Sequence, residues 1–185
     1  MKIILESHRL ILTTSVKKMA NSILEFYQKN RDHLRHWEEE KGSGFYTVQA
    51  QKIIIKYEQN RLAENTELNF WITKKNSIQV IGKVSVFGII GGNFSSCIVG
   101  YKLDQEHVGY GYMNEALEKV IEFLFNSLNI RRIEINILPE NERSLNVVKR
   151  LNFTFENEIK EYIYINGVWR DHLRFVKINQ NWRNT

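Results

Sequence analysis

Hydrophobic and polar positions follow two periods along this chain, and each change of period marks an element. Ile133, Ile135 and Ile137 are separated by Arg132, Glu134 and Asn136, which puts the isoleucines on one face of a strand. Upstream, Ala116, Leu117, Val120, Ile121 and Leu124 recur at helical intervals, so a helix is predicted from about Met113. Strands are predicted over residues 68–73, 80–90 and 96–103, with Gly91-Gly92-Asn93 as a hairpin turn. The N-terminal part reads as a short strand over 9–13. A helical region follows, with Ile23, Phe26 and Tyr27 on one face and the stretch Asp32 to Trp37 further along. Gly42-Ser43-Gly44 interrupts it, and another helix is predicted over 47–62 with Ile53, Ile54 and Tyr57 inward. Two more strands, 154–165 and 169–178, meet at Asn166-Gly167.

A length of 185 residues suits one domain with a full core, taken here as 1–185. The hydrophobic fraction of 43% is ordinary, and no apolar run approaches a membrane span. The N-terminus lacks a signal-peptide core, so a cytoplasmic protein is expected. The single cysteine, Cys97, sits in an alternating stretch and reads as a small strand residue rather than a nucleophile. With 26 basic and 21 acidic residues the net charge is +5, a mild attraction for polyanions. The basic residues are scattered among acids, so direct nucleic-acid binding is not expected.

The chemistry begins at Gly109-Tyr110-Gly111, between a strand ending at Leu103 and the helix that follows. Two glycines one residue apart let backbone approach a ligand, and the helix behind supplies unpaired N–H groups and a positive dipole end, which suit a pyrophosphate. About thirty residues later Asn141-Glu142-Arg143-Ser144 opens a short helix that ends at Leu151-Asn152-Phe153. With Arg9-Leu10-Ile11-Leu12, Val99-Gly100-Tyr101-Lys102-Leu103-Asp104, Glu115-Ala116 and Asn166-Gly167-Val168-Trp169-Arg170-Asp171, this set resembles the GCN5-related N-acetyltransferases, the GNAT superfamily. Within it, the fit is to the branch that acetylates alanine or serine N-termini of ribosomal proteins. The resemblance implies an α+β fold: a mostly antiparallel, splayed sheet of about seven strands flanked by about five helices. It also implies acetyl-CoA as co-substrate and an amine as acceptor, with attack in a ternary complex.

Residue by residue, the resemblance places pyrophosphate on the backbone of Val108, Gly109, Tyr110, Gly111, Tyr112 and Met113. Pantetheine would run along the backbone of Tyr101, Lys102 and Leu103, where an N–H would also hold the oxyanion. Asn141 and Asn146 would contact CoA, and Ser144 would protonate the leaving thiolate. Both Asn141 and Ser144 also suit a helix start, so capping is the competing reading.

Three positions depart from the pattern. Glu106 stands where an Arg or Gln is usual and is expected to turn outward. Asn152 replaces a glycine, a benign change because asparagine tolerates the left-handed conformation. Ile163 occupies the place of a possible glutamate base, leaving Glu161, two residues earlier, as the candidate. A strong base is not required: an α-amine has a pKa of about 7.7–8.0, against about 10.4 for lysine.

Trp37 is a candidate wall of the acceptor pocket, or a core residue. His33 and His36 share a helical turn with Glu39 and Glu40, but no second cluster completes a metal site and none is assigned. The alternatives left open are acetylation of a small amine such as an antibiotic or polyamine, and a CoA-binding protein without turnover. A homodimer is kept open among the partners.

Overall fold

In the computed structural model, which describes residues 2–183, eight strands form one sheet. In chain order they are β1 (Ile4–Glu6), β2 (Leu10–Thr14), β3 (Leu68–Lys74), β4 (Val80–Ile90), β5 (Ser96–Leu103), β6 (Arg132–Ile137), β7 (Thr154–Ile165) and β8 (Val168–Ile178). Their spatial order is β1-β2-β3-β4-β5-β6-β8-β7. Every neighbouring pair is antiparallel except β5 and β6. The helices are α1 (Ala20–Lys29), the single turn α2 (Arg31–Leu34), α3 (Val48–Ala63), α4 (Tyr112–Asn126) and α5 (Glu142–Arg150). The strand beyond the expected seven is β1, too short to show a period of its own; it pairs Leu5 with Leu12 of β2.

The feature that positions the site is where the sheet comes apart. β5 and β6 pair only from Ser96 to Ile98 and from Arg132 to Glu134, after which β5 runs on to Leu103 and β6 to Ile137 without pairing. Each stays with its other neighbour. β4 follows β5 to the pair Gly82–Leu103, and β8 follows β6 to Leu173–Ile137. Gly82 allows the first of these, because a Cβ there would stand 2.7 Å from the Lys102 carbonyl oxygen. One backbone edge of β5 is thus left unpaired beyond Ile98.

Each sheet face has its own core. On one side α4 sets Leu117, Val120 and Leu124 against Leu10, Phe70, Val84 and Val99, with Val148 of α5 in the same cluster. On the other, α1 and α3 set Ile23, Phe26 and Ile55 against Trp71 and Val80. Phe26 meets Trp71 edge-on at 6.0 Å between centroids. Cys97 is buried in the first core and burial pushes its thiol up to about 12, so it acts as a small apolar side chain.

The face that α3 buries differs from the expected one. Ile53 and Tyr57 are 61% and 57% exposed, while Gln51, Ile55, Glu58 and Leu62 point inward. The cause is polar. Glu58 accepts a hydrogen bond from the Lys83 ammonium at 2.7 Å and another from Ser15, whose hydroxyl accepts from the Trp71 ring N–H at 3.1 Å. A buried ion pair satisfied this way fixes the helix rotation, since stripping one partner from such a pair costs about 3–5 kcal/mol. The helical region after α1 is also more broken than its periodicity suggests: it ends at Lys29, resumes for one turn, and Trp37 falls in the loop beyond.

Candidate active site

The loop between β5 and α4 is held from three sides. Asp104, buried at 1% exposure, accepts from the Glu106 backbone N–H at 2.9 Å and pairs with the Lys29 ammonium at 2.9 Å. Burial works against the Asp104 carboxylate, but these partners win and hold it below the usual carboxylate range. Asn30 Oδ1 accepts from the Gln105 N–H at 2.9 Å, tying the loop to the end of α1. Glu106 points outward, 72% exposed, and pairs with Lys29 at 2.7 Å, so its charge is turned away from the loop's inner face.

Gly109 and Gly111 both lie in the left-handed region, at φ 92° and 78°. Gly111 is the residue before α4, and no side chain caps that helix. The first N–H groups of α4 therefore have no partner inside the helix, the arrangement that binds an anion. Behind them stands Arg9. Its guanidinium donates to the Tyr110 carbonyl at 3.0 Å and to Glu115 at 2.6 Å, and lies 4.5 Å from the centre of the Tyr112 ring. Tyr110 itself is 63% exposed and stacks on Tyr112, so it offers the site its backbone and not its ring.

From this loop a cleft of about 280 Å³ runs into the split in the sheet. Its walls are His33, Leu34 and Trp37 on one side, the stretch Tyr101–Leu103 and the loop at its centre, and α5 on the other. Asn141, Arg143, Ser144, Asn146 and Arg150 come from that last wall. Tyr101 spans the gap by donating its hydroxyl to the Ser144 carbonyl at 3.1 Å; burial raises its own pKa far above ordinary. Lys102 contributes backbone only, because its ammonium turns to the opposite face to pair with Glu38.

Asn141 is the cap of α5, its Oδ1 accepting from the Ser144 N–H at 3.1 Å. The Ser144 hydroxyl makes no hydrogen bond to any described residue and is left for the cleft. Asn141, and not Ser144, is therefore the residue whose side chain caps this helix. A second hollow of about 480 Å³ opens beside the cleft, sharing His33, Trp37, Asn141 and Arg143 and adding Asp32, His36 and Glu140. Trp37 is half-buried between the two. Another hollow of about 340 Å³, between Ile3, Leu68, Ile89 and Trp182, is remote from all of this and carries none of the expected chemistry.

Glu161 lies elsewhere. Register between β7 and β8 slips between Ile159 and Ile163, and Glu161 sits in that bulge at φ 47°, its N–H donating to Asp171 at 2.8 Å. The alternation that would have put it on the face of position 163 is broken there. Its side chain is exposed and does not line the cleft, and Ile163 is itself 41% exposed. Three basic wall residues are not among those assigned from the sequence. Arg143 and Arg150 are seven apart, hence on one face of α5 with Asn146, a spacing that would have found them. His33 was weighed only as a metal ligand. Burial, then the Arg143 charge, lowers its pKa and favours the neutral ring.

The strand order, the split and the uncapped helix behind a Gly-x-Gly loop define an acyl-CoA-type acetyltransferase fold, and comparison with known proteins agrees. The family model described as "Acetyltransferase (GNAT) domain" matches residues 9–154. A probable N-acetyltransferase, YjcK, of Bacillus subtilis is 35% identical, over 86% of this chain and 88% of its own. The [ribosomal protein uS5]-alanine N-acetyltransferase of Escherichia coli is 26% identical over 98% and 93%. Among solved structures, the ribosomal-protein-S5-alanine acetyltransferase of Vibrio fischeri superposes with a TM-score of 0.92 at 32% identity, covering 98% of this chain and 99% of that one. The chain belongs to the GNAT acetyltransferase family and is an acetyl-CoA-dependent N-acetyltransferase. Among the described residues, no helix is long and apolar enough to cross a membrane.

Proposed function

We propose that the chain acetylates the N-terminal α-amine of a protein, with a ribosomal protein of the kind named for its relatives as the first acceptor to try. The observation that carries this reading is the continuous path from the uncapped start of α4, along the unpaired edge of β5, to the free hydroxyl of Ser144. Pyrophosphate rests on the backbone N–H groups from Val108 to Met113. The pantetheine amides add to the edge of β5 at Tyr101–Leu103 as an extra strand would. Asn141, Asn146, Arg143 and Arg150 line the same path.

The thioester then lies at the split, with a β5 N–H as donor to the developing oxyanion. The neutral amine attacks the carbonyl carbon, forming the C–N bond as the carbonyl oxygen takes negative charge. Collapse breaks the C–S bond, the thiolate takes a proton from Ser144, and the amine's surplus proton passes through water to restore the Ser144 hydroxyl. With a pKa of about 7.7–8.0, an α-amine is partly neutral near neutral pH, so this scheme needs no carboxylate base. The experiment is thiol release from acetyl-CoA with peptides bearing alanine or serine N-termini, beside polyamines and aminoglycosides. Release with the peptides is expected. Release with small amines alone would overturn the acceptor assignment, and none with any amine would favour a binding protein without turnover.

A further inference from the structure

We infer that Asn166 closes a ring of contacts around the acceptor side of the split sheet and so restricts the acceptor to a slender, amine-bearing chain end. The inference rests on the acetyl transfer proposed above. Tyr101 faces α5 and the donor cleft; Lys102, the next residue, faces the other way, where the segment 35–40 crosses the gap. That segment is tied at both ends of its crossing. Glu38 pairs with Lys102 of β5. At the far side Asn166, at the tip of the β7–β8 hairpin, donates from Nδ2 to the Arg35 carbonyl at 2.7 Å and, at the limit of hydrogen bonding, to that of Glu38 at 3.5 Å. Its Oδ1 accepts from the Glu40 N–H at 2.9 Å.

The circuit then returns through the sheet. β7 and β8 stay paired to Ile165–Val168 at the tip, β8 pairs with β6, and β6 rejoins β5 at Ser96–Ile98. Every link is a strand ladder or an ion pair except the one made by a single neutral side chain. The turn alone does not call for that side chain. Asn166 and Gly167 both have positive φ, 48° and 90°, and glycine would serve the first position as well. Its three contacts bracket Trp37, which stands between the donor cleft and the second hollow, so Asn166 is a positioning residue for the acceptor side of that wall. An acceptor approaching on this face must pass the ring or break it.

The test is Asn166→Gly, which keeps the turn and removes only the carboxamide. Hydrogen exchange at the Glu40 amide should quicken by about tenfold or more, as for an amide losing its one hydrogen bond. The KM for a peptide acceptor should rise about tenfold, and its advantage over bulky branched amines should shrink. Acetyl-CoA affinity by calorimetry should stay within about twofold. Glu38→Ala removes the Lys102 partner and opens the same ring at its other end, and an open ring cannot be opened twice, so the double variant should match the worse single one. Additive effects, or an unchanged acceptor KM and selectivity with the Glu40 amide deprotected, would overturn the inference. Unchanged Glu40 exchange would also overturn it. The parent chain acetylating no amine would instead sink the underlying reading, and the exchange measurement tells the two failures apart.

Discussion

At the scale of single residues, the decisive distinction is between Asn141, which caps α5, and Ser144, which does not. Both are residues that favour helix starts, so the sequence could not say which one caps; the direction of the side chains does. Asn141→Ala should therefore lose stability, typically about 1 kcal/mol for a lost cap. Ser144→Ala should leave the thermal midpoint nearly unchanged and lower turnover by roughly ten- to a thousand-fold, the scale of one acid–base group. Acetyl-CoA affinity should hardly move, since the hydroxyl acts after binding. Full turnover in Ser144→Ala would end its assignment as the acid. Glu161 was legible as a candidate only because strand alternation was assumed to continue through it, and a bulge carries no reliable mark in one sequence. With its carboxylate in solvent, Glu161→Gln should leave the pH–rate profile where it was; a profile moved to higher pH would reinstate it as a relay.

Elements were more legible where one force set them. The stripe Ala116, Leu117, Val120, Ile121, Leu124 is buried throughout, because α4 packs on the sheet by hydrophobic area alone. α3 was misread because its rotation follows the Glu58–Lys83 pair, and three consecutive isoleucines at 53–55 offer an apolar residue whichever way the helix turns. The loop between β5 and α4 belongs to the legible class, since Gly-x-Gly before a helix is a backbone requirement written in residue type. Its support was not visible: Arg9 lies about a hundred residues away, and only the fold brings its guanidinium to 3.0 Å from the Tyr110 carbonyl. At Gly111 a Cβ would stand 3.5 Å from that guanidinium, in a backbone conformation that L-residues avoid. Gly111→Ala should accordingly cost about 1–3 kcal/mol of stability. It should also weaken CoA binding in calorimetry by tenfold or more, because the first N–H groups of α4 would be re-aimed. Unaltered affinity in a folded variant would mean that the anion is held elsewhere.

Over the whole molecule, Arg9 and Glu115 couple the N-terminal edge of the sheet to the helix that carries the loop, so pH should act on the fold through them. The Glu115 carboxylate accepts from the Arg9 backbone N–H, the Ser7 hydroxyl and the Arg9 guanidinium, at 2.6, 2.7 and 2.6 Å. Burial alone would raise its pKa, but these three donors outweigh that and hold it below the ordinary 4.5. A group depressed in the folded state contributes stability that is present above its unfolded value and lost as pH falls through the folded one. Asp104, depressed in the same sense, adds to the loss over the same acidic range. The thermal midpoint should thus hold from neutral pH down to about pH 5 as far as these two groups decide it, then fall steeply. Glu115→Gln keeps the shape and removes the charge. Its midpoint should lie below the parent's at about pH 7, and the two curves should converge as pH falls through the lowered pKa of the folded carboxylate, where the parent loses its charge as well. Parallel curves across that range would show that the tie between β2 and α4 contributes nothing through its charge, and that Arg9 braces the loop by its contact with the Tyr110 carbonyl alone.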